Sequence, residues 1–223
     1  MFHQDISLRQ AQPIERVRSY PVHERAALTS SAKRVIDIVG ATCGLIFLAP
    51  LLAATALAIR FDSKGPVLFR QRRGGARGQS FEILKFRTMT VLEDGDDIAH
   101  AKRGDRRITR VGAFLRKSSI DELPQLINVL KGEMSLVGPR PHALAHDRYY
   151  APLVPNYHLR FDVKPGLTGL AQISGHRGDV ENVEAMCARV GADVSYIDSW
   201  SVKADCKILL LTLSRAFVDP RAV

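Results

Sequence analysis

From Ile38 to Ile59 the chain carries no charged side chain. About twenty residues of that kind suffice for a helix to cross a bilayer. Lys33 and Arg34 precede the run, and Arg60, Lys64, Arg70, Arg72 and Arg73 follow it. Positive flanks favour the cytoplasmic side, and here both flanks claim it. A helix that enters, bends and returns to the same face satisfies both, and Pro50 supplies a bend by removing a backbone donor and crowding the preceding turn. A simple span and a buried core helix are the competing readings of the same pattern. Gly40 and Gly44 form a Gly-x-x-x-Gly pair, which admits a homodimer seam without requiring one. Asp37, near the start of the run, reads as a cap or a snorkelling carboxylate.

Beyond a Gly65-Pro66 turn, Val67–Gln71 and Phe81–Phe86 alternate as short strands around a basic, glycine-rich connection, Arg72–Gln79. Leu92–Arg107 is highly charged and reads as a loop. A helical pattern begins at Ile108–Leu115. Leu123, Leu126, Ile127 and Leu130 have helical spacing, closed by Lys131-Gly132. Lys164–Gly169 is turn-rich, Asn182–Val190 suits a helix, and Trp200–Val218 is helical with an apolar face. Lys203, Lys207 and Arg215 on that last helix suit lipid headgroups, although a core-facing helix explains the pattern equally. Without βαβ alternation, the expected fold is α+β: a small, mainly helical domain on a membrane face, with a re-entrant N-terminal helical hairpin and a few short strands. The expected divisions are a polar extension over 1–31, the membrane helix over 32–62 and a cytoplasmic catalytic domain with interfacial helices over 63–223.

Charge sharpens this picture. Lysine and arginine number 32 against 23 acids, a net charge of +9. That balance favours an anionic partner: nucleic acid, an anionic membrane face or a phosphorylated substrate. Nucleic acid fits poorly, because the apolar run is unexplained and no reading helix or stacking motif is present. Cys43, Cys187 and Cys206 have no zinc or redox spacing, and the seven histidines have no metal-ligand spacing.

The chemistry gathers between Arg110 and Pro141. Asp121 and Glu122 follow a basic patch of Arg110, Arg116 and Lys117 and precede Gly138-Pro139-Arg140-Pro141. Ser119–Glu122 reads as a capping box, an ordinary structural role. The same residues also place Asp121 at a helix N-terminus, where N–H groups attract phosphate. A carboxylate can attack phosphorus, provided that magnesium and arginines neutralise the approaching anions. Lys85–Met89 and Asp205 are weaker signals of the same kind.

Lys33–Asp37, Gly65–Gln71, Lys85–Met89, Leu115–Pro141 and Val163–Gln172, in this order, resemble the bacterial sugar transferases, the monotopic phosphoglycosyl transferases of polysaccharide initiation. The resemblance implies transfer of a sugar 1-phosphate from a UDP-sugar to undecaprenyl phosphate at the cytoplasmic face of the inner membrane, by a covalent ping-pong route. It implies that Asp121 is the nucleophile, that Asp121 and Glu122 hold Mg2+, and that Lys85, Arg116, Arg140, Pro141 and, less directly, Asp205 lie at the substrate phosphates. The kinked pair in this chain is Ala49-Pro50, where some family members have Ser-Pro. The chain resembles the compact exopolysaccharide initiators, without the multi-span domain of longer relatives, which suggests a hexose phosphate as cargo. A membrane-anchored basic adaptor without catalysis is the alternative, and it has no use for the acid pair.

Overall fold

The computed structural model describes residues 26–90 and 105–216, apart from 177, 179 and 181. Most of the expected 1–31 extension and most of the charged Leu92–Arg107 segment lie outside the described residues; residues 26–31 of that extension are helical or cap a helix.

After a short α1 (Ala26–Thr29), α2 runs as a single helix from Ser31 to Asp62 with Pro50 inside it. The Ser30 side chain caps its start by accepting from the Lys33 N–H. Only 11% of its most apolar stretch is buried, so α2 is not the core helix of a soluble domain. Phe47 and Phe61 are almost fully exposed, and Ile46 and Leu57 largely so. So much exposed apolar surface on one element marks contact with lipid or protein.

Both ends of α2 are fastened to the same domain. Near its start, Arg34 donates to the carbonyls of Val129 and Leu130 at 2.7 Å each, satisfying the C-terminal carbonyls of α4 (Gln125–Lys131). Asp37 neither snorkels nor caps. It is buried, and its Oδ1 accepts from Ser135 Oγ and the Leu136 N–H at 2.9 and 2.8 Å. Near its end, Ile59 packs with Phe86 and Leu115, and Asp62 accepts from the Val111 N–H at 3.2 Å. Gly40 and Gly44 face Leu136 and Leu126 of the same chain, close enough that added methyls would stand 2.6 and 3.2 Å from those side chains. Intrachain packing therefore accounts for this glycine pair.

β1 (Leu68–Gly74) and β2 (Ser80–Phe86) form the expected antiparallel hairpin, with Phe69 opposite Lys85. Its connection turns through Arg77 and Gly78, both at positive φ. A second pair was not foreseen: β3 (Ser135–Val137) runs parallel to β4 (Gly166–Thr168). β4 occupies the segment expected to be a turn. The chain between the two strands carries α5 (Leu144–Tyr150), so a parallel crossover is present after all. α6 (Leu170–Ile173), α7 (Val183–Asp198) and α8 (Val202–Ala216) complete the α+β domain. The core joins Val129, Met134 and Val137 to Tyr196, Ile197 and Ile208. On α8, Ile208 is buried while Leu210 and Leu213 are exposed, so the helix faces the core along one side only.

Candidate active site

α3 (Arg110–Ser118) ends at Ser119 in the left-handed region, φ 56°. The backbone then makes one 3₁₀ turn, Ile120–Glu122, before α4 begins behind Pro124. The capping-box expectation fails here. Ser119 makes no side-chain cap, and Glu122 does not reach back to it. The acids belong to the connecting turn and not to the N-terminus of α4, because Pro124 fits at the N-cap and because tertiary partners claim the Glu122 side chain.

Those partners are Lys85 and Arg140. Lys85 Nζ donates to Glu122 Oε1 at 2.8 Å, Arg140 Nη1 donates to Oε2 at 3.0 Å, and Arg140 Nη2 also donates to Oε1. The arginine thus grips the carboxylate with two parallel bonds. Burial pushes Glu122 up, but Arg140 and Lys85 outweigh it and hold the carboxyl well below its ordinary range. Burial likewise lowers Lys85, which Glu122 partly opposes.

Asp121 experiences the reverse balance. Burial and then the Glu122 charge raise its pKa to about 6, against Lys85, Arg140 and Arg116. No hydrogen-bond partner of its carboxylate is found among the described residues. The site therefore contains one ion-paired carboxylate and, adjacent in sequence, one carboxylate without a hydrogen-bond partner among the described residues, whose pKa burial and Glu122 raise to about 6. Perturbed groups of this kind mark sites of chemistry.

The remaining expected site residues are distributed as follows. Arg116 faces Asp121 electrostatically and places Nη1 3.9 Å from Met89 Sδ. Pro141 presents its carbonyl to Arg73 Nη1 at 3.3 Å. Asp205 has a different set of partners. It is 2% exposed and pairs with Lys33 Nζ at 2.7 Å, while Tyr196 Oη and Trp200 Nε1 donate to it at 2.8 and 3.2 Å. Lys33 also donates to the Val137 carbonyl at 2.9 Å, so this buried network ties α2 and α8 to the end of β3. Asp205 is thus engaged in holding α2 to the domain and presents no open face to substrate.

Sequence reasoning missed a further buried polar group. Arg160 Nε pairs with Asp193 at 2.9 Å, its Nη1 donates to His142 Nδ1 at 3.0 Å, and its Nη2 donates to the Arg140 carbonyl at 2.5 Å. Tyr157 donates to Asp147 Oδ1 at 2.7 Å. Histidines and acids dispersed over 142–193 gave no spacing signal, because the tertiary fold alone assembles them.

As a metal site, the donor set fits at Asp121. Mg2+ is commonly held by one or two carboxylates with substrate phosphates filling its shell, and the Asp121 oxygens are unengaged. Glu122 fits less well, since a metal would have to displace its lysine or arginine. Among the described residues no cluster of three or more histidine, cysteine or acidic side chains forms a cation site of its own.

The profile of the family described as "Bacterial sugar transferase" matches residues 28–219. The UDP-glucose:undecaprenyl-phosphate glucose-1-phosphate transferase of Caulobacter vibrioides is 58% identical over 81% of this chain and 68% of its own length. The Escherichia coli K12 protein of the same name is 50% identical over 85% of this chain, which spans only 41% of that relative. The exopolysaccharide production protein PSS of Rhizobium leguminosarum bv. phaseoli is 45% identical over 81% of this chain and 92% of its own length. With most of its residues matched, this chain belongs to the bacterial sugar transferase family.

Proposed function

We propose that this protein transfers a hexose 1-phosphate from a UDP-sugar to undecaprenyl phosphate through a covalent intermediate on Asp121, the first membrane step of exopolysaccharide synthesis. The observation that carries the proposal is the Asp121 carboxylate, left without a hydrogen-bond partner among the described residues beside a Lys85–Arg140 cluster that already pairs Glu122.

The Asp121 carboxylate attacks the phosphorus nearer the sugar. The bond from that phosphorus to the bridging oxygen breaks, and UMP leaves with the electron pair. An oxygen of undecaprenyl phosphate then attacks the same phosphorus, the acyl–phosphate bond breaks, and Asp121 is released as carboxylate. Lys85 and Arg140 reduce the repulsion between the attacking carboxylate and the diphosphate, and Arg116 adds positive charge on the Asp121 side. Glu122 keeps Lys85 charged against burial and fixes the Arg140 fork, so it orients cations and does not itself attack. A divalent ion held by Asp121 and the substrate phosphates would neutralise phosphate charge when bound.

The membrane assignment is supported by α2. It exposes a long apolar surface, yet both its ends are bound to the same domain through Arg34 and Asp37 at one end and Ile59 and Asp62 at the other. A helix that crossed the bilayer would carry one end away from that domain. The proposed topology is therefore re-entrant and monotopic at the cytoplasmic face of the inner membrane, where a polyisoprenyl phosphate and a soluble nucleotide sugar meet. The direct test is UMP release: purified protein with UDP-glucose, a divalent ion and undecaprenyl phosphate should release UMP, and Asp121→Asn should release none.

A further inference from the structure

Arg140 stands between two prolines, Pro139 and Pro141. Neither proline has an N–H to donate, so this stretch is poor in the donors that fasten an ordinary turn. It is held by its carbonyls instead. The Gly166 N–H of β4 donates to the Pro139 carbonyl at 2.8 Å, and Arg73 Nη1 donates to the Pro141 carbonyl at 3.3 Å. The shortest of the three bonds falls on Arg140 itself, where Arg160 Nη2 donates to the carbonyl at 2.5 Å.

Arg160 is in turn tightly constrained. It belongs to the 3₁₀ turn Tyr157–Asp162 and is 4% exposed. Its Nε donates to Asp193 Oδ2 at 2.9 Å, its Nη1 donates to His142 Nδ1 at 3.0 Å, and its Cζ lies 5.1 Å from the centroid of the Tyr157 ring. A guanidinium is a rigid plane with fixed donor directions. With Nε and Nη1 both engaged, the direction of Nη2 is set. Asp193, on α7 and fully buried, therefore fixes the Arg140 main chain from the core behind the site.

A pair serving stability alone has no need of that third bond. Buried ion pairs often give way to apolar residues without loss of stability. The bond falls on the residue whose side chain grips Glu122, and a tilt of its main chain is carried along that long side chain to the guanidinium. Misplacement of a site group by about 1 Å can cost ~100-fold in rate.

We propose that Arg160, anchored by Asp193, is a positioning residue for the reaction: it fixes the main chain of Arg140 so that the guanidinium meets Glu122 and the substrate diphosphate together. The inference rests on the transferase reading.

The full-length protein carrying Arg160→Met with Asp193→Leu tests this, because neither charge is left buried alone and the fold should survive. UMP release from UDP-glucose, with undecaprenyl phosphate and a divalent ion, should fall about 10- to 100-fold in kcat, with KM within about threefold. In an Arg140→Ala background the same two changes should lower kcat less than about twofold, since the group they position is gone. Arg160→Lys keeps the ion pair but not three directed donors, so it should fold and lose kcat likewise. Unchanged kcat in folded variants, or an equal factor of loss with and without Arg140, overturns the proposal. Nitrogen-15 NMR of the guanidinium groups gives a reading apart from activity. In the unaltered protein rotation of both Arg140 and Arg160 should be slow, and in the folded variants Arg140 should rotate freely. Free rotation of Arg160 in the unaltered protein, or Arg140 still slow in the variants, overturns it. If the unaltered protein releases no UMP, the transferase reading fails, and the NMR comparison still decides whether Arg160 holds Arg140.

Discussion

Arg140 donates two hydrogen bonds to Glu122, the neighbour of Asp121, and leaves Asp121 itself unbridged. Adjacent carboxylates thus acquire opposite characters from one cationic cluster. Glu122 is locked as an anion, and its charge, added to burial, raises Asp121 to about 6. Separation of two titrating neighbours by their environments is a recurrent way to assign roles in catalysis.

Asp121→Asn should abolish turnover and stabilise the fold. A carboxyl raised from 3.8 to about 6 binds its proton more tightly when folded, so its favourable contribution is full below pH ~4 and is lost as pH rises through 6. At neutral pH the wild-type protein is left with a desolvated anion beside Glu122, at a cost on the order of 1–3 kcal/mol. Thermal melts at pH 7.5 should show the variant a few degrees more stable, and the gap should close toward pH 4. A lower melting point across that range would contradict the assigned environment.

UMP release in the first turnover should fall about tenfold per unit below an apparent pKa near 6, because attack requires the anion. Asp147 is also raised to about 6, chiefly by burial, so the limb needs assignment. Rapid-quench profiles of Asp147→Asn should retain it.

Arg140→Ala should lower kcat by about two to three orders of magnitude, the usual cost of removing a preorganised charge at developing anions. Arg140→Lys should recover only part, since a single ammonium cannot reproduce the fork. With Arg140 absent, Glu122 loses its largest opposing charge and shifts upward. Combining Lys85→Met with Arg140→Ala should then cost less than the sum of the two, measured as a double-mutant cycle on kcat.

Much of this fold was legible in the chain. The charge-free run with basic flanks, the β1–β2 hairpin and α4 with its Lys131-Gly132 stop all follow from local periodicity and turn chemistry. The β3–β4 pair was not, because each strand has three residues and Pro165-Gly166 reads locally as a turn. Ser119–Glu122 satisfies a capping rule that the structure does not use, since Lys85 and Arg140, distant in sequence, bind Glu122 more strongly than a local N–H would. Asp205 shows the same limit: an acid in the first turn of a helix gives no hint of a buried lysine 172 positions away.

That lysine carries its own prediction. Lys33→Met should leave the Asp205 charge buried with only Tyr196 and Trp200 as partners, costing about 3–5 kcal/mol. Adding Asp205→Leu should restore much of it. Denaturant melts of the single and double variants measure both effects, and additivity would contradict the ion pair.

Mass spectrometry of protein acid-quenched after mixing with UDP-glucose and a divalent ion, without the lipid acceptor, tests the central claim most directly. The account predicts a hexose-phosphate adduct on the peptide containing Asp121, absent from Asp121→Asn and discharged by undecaprenyl phosphate. Normal product formation with no adduct at that residue, or an adduct on another side chain, would contradict it.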